Sequence, residues 1–498
     1  MTYLTTPIYY VNDAPHLGHA YTTVIADALA RWHRAHGADV RLVTGTDEHG
    51  LKVQRAAQAA GVGPGELAER TAARFRAAWD LLGIGYDDFV RTTEKRHRIV
   101  VEHLLSTVYE RGYVRLGRYD GRYCVGCEAY VDSAECPVHR RPTERVSEEN
   151  YFFRLSALAG PLADWFDRCP DAVRPASRRN EALGLLRQGL RDFSISRTSI
   201  DWGVPLPWDP AHVAYVWFDA LGAYLTGAGY PDPEPDRWWP AHHLIGKDIL
   251  RFHTIYWPAI LLAAGLAPPA RVTVHGFLLA RGEKISKSGL RGLPLDELVA
   301  EFGADGLRYH LLRDNPVGPD GDFSYEGLHA RYNADLANTL GNLVARVTAL
   351  VGSRCGGIGP APAADSPLAG AAGTAYEQAR TAWAEVAPAE ALAATWRLVA
   401  ATSSYVVAAE PWRLPAGSAA LERVLGDALE ALRIVAVLAG PAVPAAAAEI
   451  HHRLGLGPNL ADAASSPADG IPLPDAARWG GYPGGLPVRK GAPLFPRR

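Results

Sequence analysis

The sequence lacks a hydrophobic run long enough to cross a bilayer. No stretch of about 18 consecutive apolar residues occurs in the 498-residue chain, and the N-terminus enters a strand pattern directly, without the pattern of a signal peptide. A net charge of −3 excludes a uniformly basic surface for nucleic acid. With 48% hydrophobic and 21% charged residues, the chain is typical of a globular protein of about three domains. These features predict a soluble, cytoplasmic protein that contacts any RNA through local patches.

Lysine is also scarce. Of 51 basic residues only six are lysines, namely Lys52, Lys95, Lys247, Lys284, Lys287 and Lys490. Three of them lie in the short segments 246–248 and 284–288. A compact ammonium and a planar guanidinium are not interchangeable at a phosphate. Lysine in these two segments therefore indicates a phosphate site, and an ordinary charged loop is the alternative.

Cysteine is the third scarce residue, and three of the five cysteines fall in one short segment. Cys124, Cys127, Cys136 and His139 form two pairs, each with two residues between its members. Three thiolates and one imidazole complete the tetrahedral shell that Zn²⁺ prefers, with no position left open for catalysis. We therefore predict one structural Zn²⁺ per chain. A disulfide is the alternative, which a cytoplasmic location disfavours.

A short histidine motif follows the first predicted strand. Thr2 to Val11 is rich in β-branched and aromatic residues, and a helical pattern begins near His16 and ends at Gly37. His16 and His19 then lie on the first helical turn, where unpaired N–H groups and the helix dipole favour a phosphate. Gly18 lets a nucleotide approach the backbone closely. An ordinary polar helix start is the alternative.

The order of strands and helices predicts the fold class. Strands at 2–11 and 38–46 alternate with helices through 112, and the alternation resumes with strands at 213–218, 243–246 and 272–279. We predict an α/β protein: a split, Rossmann-like, doubly wound parallel sheet with an inserted zinc-knuckle domain and a C-terminal α-helical bundle. The predicted domains are 1–113 and 211–280 for the two halves of the sheet, 114–210 for the insertion, 281–325 for a signature loop and stem-contact region, and 326–498 for the helical domain with a linker at 356–372 and a C-terminal tail.

Several motifs together resemble one enzyme family. In chain order they are TPIYYVN at 6–12, HLGH at 16–19, TGTDEHG at 44–50, the zinc pattern, YVWFDAL at 215–221, GKDI at 246–249 and KISKS at 284–288. This set is similar to the bacterial methionyl-tRNA synthetases with a single zinc knuckle, which are class I aminoacyl-tRNA synthetases. HLGH and KISKS match the two signatures of that class. The resemblance extends over essentially the whole chain, including the closing segment 492–496.

The resemblance implies a two-step reaction without an enzyme nucleophile. Methionine attacks the α-phosphate of ATP, with Mg²⁺ on the pyrophosphate, and the acyl group then passes to the 2′-hydroxyl of the terminal adenosine of initiator or elongator tRNA(Met). The implied catalytic residues are His16, His19, Lys284 and Lys287. The implied ATP-binding residues are Asn12, His16, Gly18, His19, Gly246, Lys247, Asp248, His275, Gly276, Phe277, Lys284 and Lys287. The implied methionine-binding residues are Ile8, Tyr10, Asp47, Arg197, Trp217, Ala220, Leu221, Tyr224, Ile249 and His253. The implied readers of the CAU anticodon are Asn342, Arg346 and Trp412.

Two alternatives to this interpretation stay open. A class I synthetase for another amino acid would need a long editing insertion or zinc ligands directed at the active site, and neither is evident. A divergent or non-catalytic tRNA-binding paralogue would be expected to lose the signature residues, which are present. The segment 289–292 (GLRG) departs from the usual family sequence after the second signature. Because the family's appended C-terminal domain is absent from the sequence, we expect a monomer.

Overall fold

A computed structural model describes residues 1–125, 129–131, 133–136, 140–232, 237–280, 283–284, 294–457 and 472–498, with the backbone only at 129–131, 280 and 283–284. The chain divides into two compact units. The first comprises Met1–Pro15, Arg41–Trp79 and Tyr86–His275, and the second comprises His16–Val40, Asp80–Gly85 and Gly276–Arg498. No helix in the described part of the chain combines the length and apolarity needed to span a membrane.

The secondary structure alternates early in the chain and is mostly helical later. The strands are β1 (Thr2–Tyr10), β2 (Val40–Asp47), β3 (Asp88–Arg91), β4 (Val114–Cys124), β5 (Ala129–Val131), β6 (Glu144–Phe153), β7 (Val173–Arg174), β8 (Phe193–Ser194), β9 (Ser196–Arg197), β10 (Pro205–Leu206), β11 (Asp209–Ala214), β12 (His242–Gly246), β13 (Arg271–His275), β14 (Leu278–Ala280), β15 (Glu283–Lys284), β16 (Gly321–Asp322), β17 (Ile358–Gly359) and β18 (Leu486–Pro487). The α-helices are α1 (Leu17–Ala35), α2 (Leu51–Ala60), α3 (Pro64–Leu81), α4 (Lys95–Glu110), α5 (Ala159–Arg168), α6 (Ala176–Arg187), α7 (Val216–Ala228), α8 (Trp257–Ala264), α9 (Leu295–Asp314), α10 (Tyr325–Arg331), α11 (Asn342–Arg354), α12 (Pro367–Ala384), α13 (Pro388–Ala409), α14 (Ala419–Ala439), α15 (Pro444–Arg453) and α16 (Leu473–Ala476). Leu155–Leu158 and Lys247–Ile249 form 3₁₀ turns, and Phe252–Tyr256 and Tyr332–Gly341 form π-helical segments.

A six-stranded sheet organises the first unit. Its order is β3-β2-β1-β12-β13-β7, and the pairs β2–β3, β1–β12, β12–β13 and β13–β7 are parallel. The strand order reverses between β1 and β12. In a doubly wound sheet, ligands bind beyond the carboxyl ends of the strands at such a reversal. The predicted α/β class with a parallel sheet is confirmed, and the chain that follows Tyr10 and Gly246 becomes the candidate site.

The predicted strand at 213–218 is wrong in its extent and its sheet. The strand β11 ends at Ala214 and lies in a separate three-stranded sheet, where it pairs antiparallel with β10 and β9. Tyr215 is extended and α7 begins at Val216. Every residue of α7 is buried, so tertiary packing overrides the β-propensity of its aromatic residues.

The strands β3 and β7 were not predicted, and one predicted strand is divided. β3 lies within a stretch that we expected to be helical, and β7 lies within the predicted insertion 114–210 yet pairs with β13. The predicted strand 272–279 becomes β13 in the first unit and β14 in the second, where β14 pairs with β15 and β16. A Cβ at Gly276 would collide with the carbonyl oxygen of Pro319, which explains a glycine at this break.

The inserted segment contains a second, antiparallel sheet within the first unit. Its order is β5-β4-β6-β8, and β4 and β6 pair along nearly their whole length. The cysteine pattern begins at Cys124, the last residue of β4.

Helices dominate the second unit, which includes the C-terminal part of the chain. The expected linker at 356–372 is too long, because Ser366 caps α12, which begins at Pro367. Asp27 on α1 lies 2.7 Å from Arg31 and 2.6 Å from Arg308 on α9. Burial raises the pKa of Asp27, but the two guanidiniums outweigh it and hold the pKa below its usual value. Arg308 is fully buried and also donates to the carbonyl of Pro441, 2.8 Å away, just before α15.

Candidate functional site

An aromatic cluster lies at the start of α7 in the first unit. The Trp217 ring stacks on Phe252 with centroids 3.6 Å apart and planes at 6°. Tyr10, the last residue of β1, meets Trp217 edge-on at 6.5 Å and 86°. The structure thus brings together two of the predicted methionine-binding residues, and it adds Phe252, for which the sequence carries no motif. A polarizable thioether packs well against aromatic surfaces of this kind.

A buried tyrosine–histidine pair lies in the same unit. The Tyr224 hydroxyl is 2.6 Å from His253 Nε2, and His253 Nδ1 is 3.0 Å from the carbonyl oxygen of Ile249. Because a carbonyl only accepts, Nδ1 donates, and in the neutral ring Nε2 accepts from Tyr224. Burial lowers the pKa of His253 to about 4 and raises the pKa of Tyr224 well above its usual value. The pair is therefore uncharged at neutral pH.

Asp47 ends β2 and is 3% exposed. Its carbonyl accepts a hydrogen bond of 3.2 Å from the N–H of Val11, which links the ends of β2 and β1. The residues on either side are also held: the Thr46 hydroxyl donates to Glu48 at 2.7 Å, and Arg91 donates to Glu48 at 2.8 Å. The backbone that carries Asp47 is thus fixed on both sides. A buried carboxylate on a fixed strand end is suited to hold a cation.

The remaining predicted methionine-binding residues differ in their surroundings. Ala220 and Leu221 are buried on α7, Ile8 lies on β1, and Ile249 ends the 3₁₀ turn after β12. Arg197 on β9 is buried and is engaged by protein groups.

Arg197 forms an ion pair of 3.1 Å with Glu148. Its guanidinium lies 4.9 Å from the centre of the Tyr215 ring, just before α7, and 4.4 Å from that of Tyr123. A role beside the substrate carboxylate therefore stays a prediction.

A lysine on α2 lies next to the aromatic cluster. Lys52 places its ammonium 4.5 Å from the centre of the Tyr10 ring. Lys52 is one of the six lysines of the chain, and no motif predicted a role for it. A cation over an aromatic face is attracted by the ring electrons, so Lys52 helps to orient Tyr10.

Four predicted nucleotide-binding residues lie at the carboxyl edge of the parallel sheet. Asn12 follows β1, Lys247 and Asp248 follow β12, and His275 ends β13. His275 pairs in register with Gly246. Because the carboxyl ends of parallel strands share one edge, the structure places these four residues at the same edge of the sheet.

In the second unit, the two signature histidines build the start of α1. His16 is the N-cap residue, and its Nδ1 accepts from the N–H of Gly18 at 3.1 Å. His19 Nδ1 accepts from the N–H of His16 at 3.3 Å, and the two rings stack 3.7 Å apart. Since each Nδ1 accepts, the proton of each neutral ring lies on Nε2. Two N–H donors at a helix N-terminus suit phosphate oxygens.

The second signature is described only in part. The backbone of Lys284 pairs with Leu279 in the small sheet of the second unit. Its side chain and the whole of Lys287 lie outside the described residues. Close by in sequence, the N–H of Phe277 donates to Asp320 at 2.9 Å.

The predicted anticodon readers are exposed in the second unit. Asn342 and Arg346 lie one turn apart on α11, both on the surface. Trp412 follows α13 and is 44% exposed. An exposed indole is a platform on which an unstacked base can lie.

Two of the four predicted zinc ligands are described, and both are buried. Cys124 ends β4 and pairs with Ala129 of β5, and the N–H of Cys136 donates to the carbonyl of Arg141 at 2.9 Å. Cys127 and His139 lie outside the described residues. Among the residues that are described, no group of three metal-binding side chains occurs, so the zinc site stays a prediction, and two buried thiols are compatible with it.

Comparisons with known proteins agree on one family. The family described as "tRNA synthetases class I (M)" matches residues 2–147 and 133–348. The methionine–tRNA ligase of Streptomyces coelicolor is 44% identical over 99% of this chain and 96% of its own length. That of Mesorhizobium japonicum is 43% identical over 99% of this chain and 97% of its own. The structure of Mycobacterium tuberculosis methionyl-tRNA synthetase in complex with methionyl-adenylate superposes with a TM-score of 0.92 at 39% identity, covering 100% of this chain and 99% of that one.

Proposed function

The chain belongs to the class I tRNA synthetases of the methionine type, and from this membership we propose that it joins L-methionine to tRNA(Met) at the expense of ATP. The observation that carries the proposal is the agreement between relatives at 44% identity over nearly the whole chain and an aromatic cluster suited to a thioether. The enzyme is thus a methionine–tRNA ligase.

The first unit recognises the side chain of methionine through uncharged groups, and its ammonium and carboxylate through charged groups. The thioether side chain of methionine packs among Tyr10, Trp217 and Phe252. The neutral Tyr224–His253 pair places no charge beside this side chain. Ile8, Ala220, Leu221 and Ile249 complete the apolar lining. Asp47 receives the substrate ammonium, and Arg197 lies on the side of its carboxylate. A neutral histidine matters here, because an imidazolium would favour a polar ligand.

The reaction needs positioning and charge stabilisation, with no enzyme nucleophile. The methionine carboxylate attacks the α-phosphate, and the Nε2–H groups of His16 and His19 donate hydrogen bonds to phosphate oxygens. Lys284 and Lys287 neutralise the charge of the departing pyrophosphate, and Mg²⁺ that enters with ATP would add to this neutralisation. The nucleoside is held by Asn12, Gly18, Gly246, Lys247, Asp248, His275, Gly276 and Phe277. Holding both reactants in line supplies much of the rate.

In the second step the acyl group passes to the 2′-hydroxyl of the terminal adenosine of initiator or elongator tRNA(Met). Trp412 stacks on an anticodon base, and Asn342 and Arg346 read base edges or backbone. One Zn²⁺ held by Cys124, Cys127, Cys136 and His139 has a structural role only. A monomeric state and a cytoplasmic location stay predictions from the sequence.

An amino-acid-dependent ATP–pyrophosphate exchange assay tests the proposal. We expect exchange to be selective for methionine over leucine, isoleucine, valine and cysteine. Lys287→Ala should slow adenylate formation by roughly 10²- to 10³-fold, as is typical when one charge stabiliser is removed. The control is Lys490→Ala, a lysine of the C-terminal tail outside both signatures, which should retain the wild-type rate.

Exchange with another amino acid at equal rates would contradict the substrate, and wild-type exchange in Lys287→Ala would contradict the role of that lysine. No exchange with any amino acid would favour the non-catalytic, tRNA-binding alternative.

A further inference from the structure

A buried carboxylate that none of the predicted roles uses lies in the first turn of α7. Asp219 is 1% exposed and accepts hydrogen bonds from two imidazoles. His49 Nδ1 lies 2.7 Å from one carboxylate oxygen, and His97 Nε2 lies 2.9 Å from the other. His49 belongs to the turn after β2, and His97 belongs to α4. One side chain thus joins three separate elements.

The second imidazole is held at both ring nitrogens. His97 Nδ1 lies 2.9 Å from the hydroxyl of Thr226, which is also on α7. The burial of Asp219 raises its pKa, but the two imidazoles outweigh this and hold the pKa well below its usual range. The carboxylate is therefore ionised, and its two partners give it a fixed orientation.

The groups joined by this network carry the proposed methionine site. His49 lies two residues after Asp47, and the carbonyl of Glu48, between them, accepts from the indole N–H of Trp202 at 2.6 Å. On the other side, Trp217 lies two residues before Asp219 on α7, and Ala220 directly follows it. The network therefore connects the residue assigned to the substrate ammonium with the helix assigned to its side chain.

We propose that Asp219 is a positioning residue. Through its hydrogen bonds to His49 and His97 it fixes the turn after β2, which begins next to Asp47, relative to α7, which carries Trp217 and Ala220. This inference rests on the proposed function. Apolar side chains of similar size could hold the same helices together without the cost of burying a charge. A network of directional bonds instead sets the orientation of the turn, on which recognition of the substrate ammonium depends.

The test is the kinetics of methionine-dependent exchange in Asp219→Asn. The amide keeps the shape of the side chain but has only one acceptor oxygen, so the N–H of one imidazole loses its hydrogen-bond acceptor. We expect the KM for methionine to rise roughly tenfold. The KM for ATP and kcat should change by less than about threefold, because the lost interaction binds methionine equally well in the ground state and in the transition state. His49→Gln keeps the His97–Asp219 bond intact and should give the same pattern, so the test does not depend on the folding of one variant.

A matched control separates positioning from loss of stability. Val101 on α4 is buried and lies beside Gly222 of α7, as the His97 ring does, but its side chain is a hydrocarbon and takes no part in the hydrogen bonds of Asp219. Val101→Ala should lower the melting temperature as a cavity does and leave the KM for methionine unchanged. The inference is overturned if Asp219→Asn and His49→Gln have the wild-type KM for methionine, or if Val101→Ala raises it equally. A wild-type protein without methionine-dependent exchange would instead refute the proposed function.

Discussion

His253 shows at the scale of one residue how burial fixes a protonation state. The ring accepts from Tyr224 and donates to a backbone carbonyl, which suits the neutral form. Burial lowers its pKa from 6.5 to about 4. Between these two values the unfolded chain binds a proton that the folded chain does not, so the free energy of unfolding falls as the pH falls. Above pH 6.5 the residue contributes no pH dependence.

We therefore predict that His253→Gln flattens the pH dependence of stability. The wild-type protein should lose up to about 3 kcal/mol more than the variant as the pH falls from 6.5 to 4. Urea unfolding over this range measures the difference. His103→Gln, which replaces an exposed histidine, is the control and should keep the wild-type slope. Parallel curves for wild type and His253→Gln would contradict the assigned protonation state.

Individual residues of the candidate site could be predicted only where they belong to a sequence motif. Tyr10, Trp217, Tyr224 and His253 were predicted from motifs, and the structure brings them into contact in two groups. The stacking of Phe252 on Trp217 joins distant parts of the chain, and neither partner has a sequence signal for it. The same holds for the bonds of Asp219, because hydrogen bonds between segments depend on the fold and not on spacing.

At the scale of elements, prediction depended on length and on local preference. The predictions of β1 and α1 were confirmed. β1 has nine residues, and α1 has a capping residue at its start and a glycine with positive φ after its end, so both elements give clear sequence patterns. β7 has two residues, too few to show a period. α7 was missed because its first turn is rich in residues that favour strands, whereas its burial on all sides suits either a helix or a strand.

The zinc knuckle is also an element-scale prediction. Elemental analysis should find one tightly held Zn²⁺ per chain, and Cys124→Ser should lower both the metal content and the melting temperature, because metal binding at such a site contributes to folding. Cys169→Ser, which replaces an exposed cysteine of α5's C-terminal end, is the matched control and should change neither. A stable, fully active wild-type protein without metal would show that this pattern does not bind zinc.

At the scale of the whole molecule, residues with different proposed roles lie in different units of the chain. The residues proposed to bind methionine lie in the first unit, and the residues proposed to read the anticodon lie in the second, together with the signature histidines. Within the second unit, the buried Asp27–Arg308 pair and the Arg308 bond to Pro441 tie α1, which carries the signature histidines, to the chain that enters α15. Removing one partner of a buried pair leaves an uncompensated charge, so this part of the helical unit is held to α1 by more than apolar packing.

Recognition of tRNA should therefore be separable from activation of methionine. Trp412→Ala removes an exposed stacking surface in the helical part of the second unit. Stacking on an aromatic contributes about 1 to 3 kcal/mol per base, so the kcat/KM for tRNA should fall roughly 10- to 100-fold while ATP–pyrophosphate exchange stays at the wild-type rate. Arg346→Ala should act in the same direction. The measurement is aminoacylation of initiator tRNA beside the exchange assay.

The control for this prediction is Val407→Ala, an exposed apolar residue on α13 close to Trp412 in sequence, which should charge tRNA normally. A tRNA with an altered CAU anticodon provides the second comparison, because the wild-type enzyme should discriminate against it and Trp412→Ala should discriminate less. Unchanged charging together with unchanged discrimination in Trp412→Ala would mean that this tryptophan does not read the anticodon. An equal loss of exchange and of charging would instead mean that the substitution disturbs the second unit as a whole, since α1 and its signature histidines belong to that unit.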